Sequence, residues 1–244
     1  MGFKDYYRAF KAYTDINSKE YQRRIEELKP HLLRFMKRKG KILDLACGVG
    51  GFSFLLEDHG FEVIGVDIDE EMIKKATEYA EEKSSKVKFI VGDARKLPFE
   101  DETFDYVLFL GNTTIHFLPK DLSEVFKEVK RVLKKDGLFL INFVDMRELL
   151  PRIRMRTVVG EEYWISKVTI DEEEKTALIE YKSERDSFRV RFVIWGKTAV
   201  ELLAKLYFTP IESVKLDDIS YLNVYKKIKS ALKPKPLYDE FPVE

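Results

Sequence analysis

The stretch LDLACGVGGF, residues 43 to 52, joins a short apolar run that contains Asp44 to a loop with three glycines, Gly48, Gly50 and Gly51. Glycine has no side chain and accepts backbone angles that other residues avoid, so such a loop can bring backbone amides against a ligand. A strand, a glycine-rich loop and a helix in this order are typical of nucleotide-binding α/β sheets. A tight strand-to-helix turn without a ligand is the less favoured interpretation of the stretch taken alone.

Apolar runs alternate with amphipathic helical segments on both sides of this loop. The predicted strands are KILDLA, FEVIGVD, VKFIVGD, FDYVLFLG and GLFLINFV, at residues 41–46, 61–67, 87–93, 104–111 and 137–144. Nearly continuous apolar runs are expected where helices cover both faces of a parallel sheet. The alternation therefore predicts an α/β fold with a doubly wound, mostly parallel sheet.

Helix signals lie between these runs. Asn17 or Ser18 is predicted to cap a helix that runs towards Lys39, and Pro30 is expected to bend or interrupt that helix. Gly137 is expected to end the helix region before the fifth strand.

The periodicity changes from about Arg156. Phe188 to Ile194 alternate between apolar and more polar residues, which is the period of a half-buried strand. With the segments 158–170 and 175–184, this pattern predicts a three-stranded antiparallel meander. The other predicted elements are a helix at 197–206, strands at 210–216 and 220–228, and an extended tail at 233–244.

Composition limits the function classes. The 244 residues contain 43 basic and 43 acidic side chains, so no net charge draws the chain to nucleic acid, which is not an expected partner. Only Cys47 is a cysteine, which excludes an internal disulfide and favours a reducing, cytoplasmic location. No apolar run reaches membrane-spanning length. A charged content of 35% with few amides suits a thermophile.

Two further acids end neighbouring predicted strands. Asp67 follows Gly48 by nineteen positions, where a carboxylate can accept hydrogen bonds from both hydroxyls of a ribose. Asp93 ends the third strand and can accept a hydrogen bond from the exocyclic amine of an adenine. Helix capping is the competing interpretation for Asp67, although Asp69 is better placed for that, and an Asx turn is the competing one for Asp93.

The order of these segments resembles that of the class I S-adenosylmethionine-dependent methyltransferases. They correspond to the family's glycine-rich motif, ribose-binding acid, adenine-binding loop, and fourth and fifth strands. The segments are LDLACGVGG, VIGVDID, VGDARKLPF, FDYVLFLGN and RVLKKDGLFLINF. The resemblance covers about residues 20–145 and resumes at 202–227. Ala46 stands where the motif usually has glycine.

The resemblance implies that S-adenosyl-L-methionine is the cofactor and S-adenosyl-L-homocysteine the product. Asp44 would orient the amino group of the methionine portion, Asp67 would hold the ribose, and Asp93 would read the adenine edge with the amide of Ala94. The other implied cofactor-binding residues are Tyr21, Arg24, Ala46, Cys47, Gly48, Gly50, Ile68, Met72, Gly111 and Asn112.

The resemblance also implies one methyltransferase domain over residues 1–244, with a seven-stranded, mostly parallel sheet whose last strand is antiparallel. Its parts would be an amino-terminal helical lid (1–40), a cofactor-binding core (41–150), an inserted β-meander (156–196), and a final helix and strand pair (197–228). Tyr13, Tyr21 and Arg24 match the segment that folds over the cofactor in the family. Ordinary core packing is the alternative for the two tyrosines.

The implied reaction is direct in-line methyl transfer, for which the cofactor supplies an activated methyl group. Orientation and exclusion of water can lower the barrier by roughly 7–11 kcal/mol without any acid or base. For a hydroxyl or ammonium acceptor, His116 is the candidate general base because it follows the fourth strand directly. A structural or substrate-shaping role is the alternative for His116. No metal site is predicted.

Substrate class depends on weaker signals. The chain lacks the Asn/Asp-Pro-Pro-aromatic motif that adenine and glutamine methyltransferases place after the fourth strand. Arg147, Arg152, Arg154 and Arg156 could meet an anionic substrate, or form a solvated face. The meander is expected to be either a wall of the acceptor pocket or a dimer contact. On the balanced charge of the chain we expect a small-molecule acceptor, and we expect a monomer or homodimer.

Two alternative functions stay open at this point. An NAD(P)-dependent oxidoreductase would show G-x-G-x-x-G in the loop, whereas Gly48, Gly50 and Ser53 give G-x-G-x-x-S. A non-catalytic cofactor-binding interaction module would keep the fold and use the meander as a partner surface.

Overall fold

The predicted strands assemble into two sheets in the computed structural model, which describes residues 6–7, 10–154, 158–159 and 162–228. The strands are β1 (Lys41–Leu45), β2 (Glu62–Asp67), β3 (Lys88–Val91), β4 (Phe104–Phe109), β5 (Leu133–Val144), β6 (Val158–Val159), β7 (Tyr163–Asp171), β8 (Thr176–Lys182), β9 (Ser187–Val193), β10 (Phe208–Lys215) and β11 (Ser220–Lys227). The large sheet has the order β10-β11-β5-β4-β1-β2-β3.

Strand direction in the large sheet follows the prediction. Neighbours from β1 to β5 pair in parallel, whereas β11 lies antiparallel between β5 and β10. The four central strands are almost wholly buried, as their continuous apolar runs required. The predicted seven-stranded α/β fold with an antiparallel last strand is confirmed.

The meander forms a second, antiparallel sheet with the order β6-β7-β8-β9. Its period of two holds in β9 from Ser187 to Phe192, where Phe188, Val190 and Phe192 are buried and alternate with exposed residues. The prediction of three strands was wrong in one respect. Segment 158–170 was expected as a single strand but is divided into the two-residue β6 and the longer β7, so the sheet has four strands.

Helices cover both faces of the large sheet. They are α1 (Lys11–Thr14), α2 (Lys19–Phe35), α3 (Gly51–Asp58), α4 (Glu70–Glu82), α5 (Pro119–Val132), α6 (Met146–Leu149) and α7 (Lys197–Lys205), with 3₁₀ turns η1 (Thr113–His116) and η2 (Leu150–Arg152). Two predicted caps are confirmed. The Ser18 hydroxyl accepts a hydrogen bond from the Tyr21 amide at 3.2 Å, and the Asp69 carboxylate accepts one from the Glu71 amide at 3.1 Å.

Two predicted helix boundaries were wrong. Helix α2 ends at Phe35 rather than near Lys39, and it continues through Pro30, because packing of its apolar stripe offsets the hydrogen bond that proline removes. Helix α5 ends at Val132, and Gly137 lies inside β5 instead of ending the helix. A β-carbon on Gly137 would lie 2.9 Å from the Asp105 carbonyl oxygen, so the glycine marks a close approach of two strands.

The meander packs at one end of the large sheet through an aromatic cluster. Its apolar face contacts Phe10 from the amino-terminal segment, Ile115 from η1 and Met146 from α6. This packing places the second sheet beside the loop that follows β4. No helix among the described residues is long and apolar enough to cross a membrane. The tail expected at 233–244 lies outside the described part of the chain.

Candidate cofactor site

A cavity of about 250 Å³ opens at the carboxyl ends of β1, β2 and β4, the edge at which α/β sheets bind ligands. Most residues predicted for the site line this cavity. They are Tyr13, Tyr21, Arg24, Asp44, Ala46, Cys47, Gly48, Asp67, Ile68, Met72, Asp93, Ala94, Gly111 and His116. Gly50 and Asn112 were predicted with them but do not line it.

The glycine-rich loop turns under the cavity with left-handed backbone angles. Gly48 has φ +55°, and a β-carbon there would meet no atom within 4 Å, so its surface is open to a ligand. Gly50 has φ +84°, and a β-carbon there would lie 2.5 Å from the Phe89 ring. Gly50 therefore packs behind the loop so closely against Phe89 that a side chain has no room there. Ala46 also has a left-handed φ of 58°, which explains why glycine usually stands at this position.

Asp67 is fixed by two backbone amides at the end of β2. One carboxylate oxygen accepts a hydrogen bond from the Gly48 amide at 2.8 Å, and the other accepts one from the Asp69 amide at 2.9 Å. Burial is the largest effect on the pKa of Asp67 and raises it, whereas these two hydrogen bonds lower it in part. The carboxylate keeps further lone pairs for a ligand, since each oxygen can accept two hydrogen bonds.

Asp44 is the most buried acid of the cavity. Its side chain is 2% exposed and accepts a hydrogen bond from the Ser53 hydroxyl at 2.6 Å. Burial raises the pKa of Asp44 to about 7, although the hydrogen bond from Ser53 opposes the rise. Burial also raises the pKa of the neighbouring Cys47 thiol, which therefore stays protonated and is a poor nucleophile.

Helix α2 covers the loop from above. The Tyr21 hydroxyl accepts a hydrogen bond from the Gly51 amide at 3.0 Å. The Arg24 guanidinium lies 4.5 Å from the centre of the Tyr13 ring, and its Nη2 lies 3.3 Å from the position of a β-carbon on Gly111. The amino-terminal segment and the end of β4 thus meet over the cavity.

We expect Gly51→Ala to displace this cover. A β-carbon at Gly51 would lie 2.2 Å from the Tyr21 ring and 2.8 Å from Ile25, both of which are buried. Overpacking of this kind typically costs about 1–3 kcal/mol. Thermal unfolding should show a lower Tm for Gly51→Ala than for wild type. The control is Gly60→Ala, where a β-carbon would lie no closer than 3.7 Å to a side-chain atom but where φ, unlike that of Gly51, is left-handed (+79°). Gly60→Ala measures the separate cost of a left-handed φ without overpacking, and an unchanged Tm in Gly51→Ala would contradict the packing account.

His116 lies on the far wall of the cavity, under the meander. Its Nε2 is 2.8 Å from the Tyr7 hydroxyl, and its ring centre is 5.7 Å from that of Phe192. Burial lowers the pKa of His116 to about 4, so the imidazole is neutral at physiological pH. Tyr7 was not among the predicted residues, because an aromatic residue 109 positions earlier carries no sequence signal for this contact.

Asn112 and the arginine cluster have other contacts. The Asn112 side-chain oxygen accepts a hydrogen bond from the Val144 amide at 2.8 Å, which joins the ends of β4 and β5. Arg152 pairs with Glu148 at 3.9 Å and with Asp218 at 3.6 Å. None of the described arginines of this cluster borders the cavity, which favours the solvated-face interpretation over an anionic site. Arg156 lies outside the described residues.

The side chains present fit S-adenosylmethionine. A buried carboxyl of raised pKa, Asp44, is suited to a cationic amino group. Ile68 is 43% exposed although apolar, and with Met72 it offers a surface for a flat purine ring. Asp67 at the end of the neighbouring strand supplies the acceptor that a ribose diol needs. Acid, diol acceptor and apolar surface border one cavity, so the cofactor can be held by these residues together.

Comparisons with known proteins agree with this fit. The sequence profile of the family described as "Methyltransferase domain" matches residues 42–137. The putative methyltransferase YqeM of Bacillus subtilis is 39% identical over 108 residues, which are 44% of this chain and 43% of that protein. The chain thus spans less than half the length of this curated relative.

Solved structures extend the comparison beyond the profile. The PH0226 protein from Pyrococcus horikoshii is 64% identical, with a TM-score of 0.87 over 93% of this chain and 100% of that one. An S-adenosylmethionine-dependent methyltransferase from Clostridium acetobutylicum has the same fold at 15% identity, with a TM-score of 0.72 over 92% of this chain and 98% of that one. Residues 42–137 therefore belong to the methyltransferase domain family, and the chain has the fold of the class I S-adenosylmethionine-dependent methyltransferases, whose cofactor is S-adenosylmethionine.

Proposed function

We propose that the protein transfers the methyl group of S-adenosylmethionine directly to a small-molecule acceptor. One observation carries this proposal: Asp44, Asp67 and Asp93, from three successive strand ends, border a single cavity with the open surface of Gly48. That constellation suits an adenosine joined to an amino acid, and no dinucleotide is needed to explain it. The small cavity and the balanced charge of the chain favour a small acceptor.

Each polar side chain of the cavity binds a different part of the cofactor. Asp44 orients the amino group, and Arg24 is available to the carboxylate. Asp67 holds the ribose hydroxyls, and Asp93 accepts from the adenine amine. Gly111, with φ +81° at the end of β4, brings backbone close to the reacting end. Bound S-adenosylmethionine supplies the activated methyl group.

Exclusion of water is the second task of the chain. Tyr7 and Tyr13 close the cavity from the amino-terminal segment, and Phe117 closes it from the loop after η1. Behind Tyr13 the meander contributes buried aromatic side chains to the apolar cluster against which Tyr13 packs. We propose that the meander supports the acceptor wall. Orientation and a dry cavity together can account for roughly 7–11 kcal/mol of barrier lowering.

His116 is proposed to shape the acceptor pocket and to act as a weak base at most. We expect His116→Gln to lower kcat by less than about tenfold, because a buried imidazole with a pKa near 4 is poorly matched to proton abstraction at neutral pH. The kcat of the wild type, measured at saturating cofactor, should show no break near pH 6.5. His59→Gln is the matched control, since His59 lies at the end of α3 outside the cavity. A loss of 100-fold or more in His116→Gln alone would make His116 the general base.

Transfer of a labelled methyl group tests the proposed activity. Cofactor labelled in the methyl group is incubated with the full chain and an extract separated into small molecules, protein and nucleic acid. We expect label in the small-molecule fraction, and none when Asp67→Ala replaces the wild type. Label in protein or nucleic acid would overturn the small-molecule acceptor, and no transfer despite cofactor binding would favour a non-catalytic module.

A further inference from the structure

We infer that Arg95 is a positioning residue for adenine recognition, because its guanidinium and backbone amide hold the Asp93 carboxylate so that one acceptor site is left for the exocyclic amine. This inference rests on the proposed function, since it assumes that the cavity binds an adenosine cofactor. Asp93, Arg95 and Asp121 all line the cavity at the ends of β3 and α5.

The contacts of Asp93 with Arg95 are unusually complete for two residues near a surface. Arg95 Nε lies 3.1 Å from both carboxylate oxygens of Asp93, and Nη2 lies 2.7 Å from Oδ2. The Arg95 backbone amide donates to Oδ1 at 2.9 Å. A planar guanidinium fixes the plane of a carboxylate as well as its position, which a point charge cannot do.

A count of lone pairs says what remains for a ligand. A carboxylate offers about four acceptor sites, and the three Arg95 N–H groups take about three of them, because the single Nε proton is shared between both oxygens. One site is left, and an adenine amine needs one acceptor on that side. The Asp93 carboxylate is therefore held in place by Arg95 and can still accept one further hydrogen bond from an N–H group.

Asp121 anchors the guanidinium from the opposite side. Arg95 Nη1 donates to the Asp121 carboxylate at 3.0 Å, so the loop after β3 is tied to the first turn of α5. The backbone near Asp93 is already held, because the Gly92 amide donates to the Asp67 carbonyl and the Lys96 amide to the Asp93 carbonyl, each at 2.9 Å. The side-chain torsion of Asp93 is the remaining freedom, and Arg95 removes it.

Because both side chains are partly exposed, the ion pair between Asp93 and Arg95 positions the carboxylate and adds little to the stability of the fold. The side chains of Asp93 and Arg95 are 35% and 44% exposed, and exposed ion pairs contribute little to folding. Without the Arg95 guanidinium only the backbone amide of residue 95 would still hold Asp93 Oδ1, and the plane of the carboxylate would no longer be fixed. Loss of Arg95 should therefore leave the fold intact and change the recognition of one purine substituent.

The test compares two ligands by calorimetric titration of the full chain. One is S-adenosylhomocysteine, and the other is its 6-deamino analogue, which carries hydrogen in place of the exocyclic amine. We expect wild type to prefer the amine by about tenfold or more, as for a hydrogen bond to a charged acceptor. In Arg95→Gln the preference should fall to about twofold or less, while affinity for the deamino analogue stays within about twofold of wild type.

Three further variants sharpen the result. Arg95→Lys keeps the charge without the planar fork, and should recover less than half of the lost preference on a logarithmic scale. Asp121→Asn should reduce the preference partly. Arg34→Gln is the matched control, since its pair with Glu212 has similar exposure but lies outside the cavity, and it should change nothing.

Two results would overturn the inference. An equal loss of affinity for both ligands in Arg95→Gln would mean that Arg95 supports the loop or binds the cofactor itself. An unchanged preference in Arg95→Gln would mean that Asp93 needs no positioning. If wild type binds neither ligand, the proposed function fails and the inference with it, which separates that outcome from the other two.

Discussion

Asp67→Ala is expected to weaken S-adenosylhomocysteine binding by about 100-fold or more. Two hydrogen bonds from the ribose to a charged acceptor would be lost, and each such bond contributes about 1.5–3 kcal/mol. The variant also frees the Gly48 amide, which Asp67 now holds at 2.8 Å, so the glycine-rich loop loses part of its preorganisation. Calorimetric titration of purified wild type and variant measures the effect directly.

The control for this variant is Asp101→Ala. Asp101 is an exposed acid that pairs with Arg131 at 3.0 Å and lies away from the cavity. Its removal should leave affinity within about twofold of wild type. Affinity within about fivefold of wild type in Asp67→Ala, with the fold intact by circular dichroism, would show that Asp67 does not hold the ribose.

The second large effect is a proton released on cofactor binding. Asp44 has a pKa of about 7 in the ligand-free protein, so it is largely protonated at pH 6. A cationic amino group beside it favours the carboxylate, and binding at pH 6 should expel close to one proton. Affinity should rise almost tenfold per pH unit below pH 7 and level off above it. Titrations in buffers of different ionisation enthalpy measure the released proton.

Asp44→Asn should remove this pH dependence and weaken binding above pH 7, because the amide cannot ionise. Asp67 also has a raised pKa, so the difference between wild type and Asp44→Asn isolates Asp44. An identical proton release in wild type and Asp44→Asn would contradict the assigned role.

The same shift affects the stability of the free protein. Between its ordinary pKa of 3.8 and about 7, Asp44 is protonated in the native state but ionised in the unfolded chain. The contribution of Asp44 to stability therefore falls as pH rises through that range. The full effect is on the order of 4 kcal/mol. The contribution of His116 to stability changes with pH in the opposite direction. Its pKa is lowered from 6.5 to about 4, so this contribution rises as pH rises through that range. Asp44→Asn should therefore be most stabilising above pH 7.

The sequence was sufficient for features that depend on strand ends. Asp44, Asp67 and Asp93 could be placed at one cavity because parallel strands bring their carboxyl ends to one edge of the sheet. The sequence was insufficient where one residue type can have two structural roles. Gly50 and Gly48 look alike in the loop, and only the structure shows that Gly50 packs against the Phe89 ring whereas the surface of Gly48 is open.

Long-range contacts were also beyond the sequence. The contact between Tyr7 and His116 depends on how the amino-terminal segment folds back, which no local pattern specifies. The bridge from Arg95 to Asp121 likewise joins residues 26 positions apart on different elements. Gly137 was misassigned because glycine ends helices and also permits close strand approach, and here the second use applies.

The most direct test of the central claim is the affinity of the wild-type chain for its cofactor class. The full chain is titrated calorimetrically with S-adenosylhomocysteine and, separately, with NAD and NADP. A cavity built by Asp44, Asp67 and Asp93 predicts one-site binding of S-adenosylhomocysteine in the micromolar range and no measurable heat with either dinucleotide. Tight binding of NAD or NADP without binding of S-adenosylhomocysteine would contradict it.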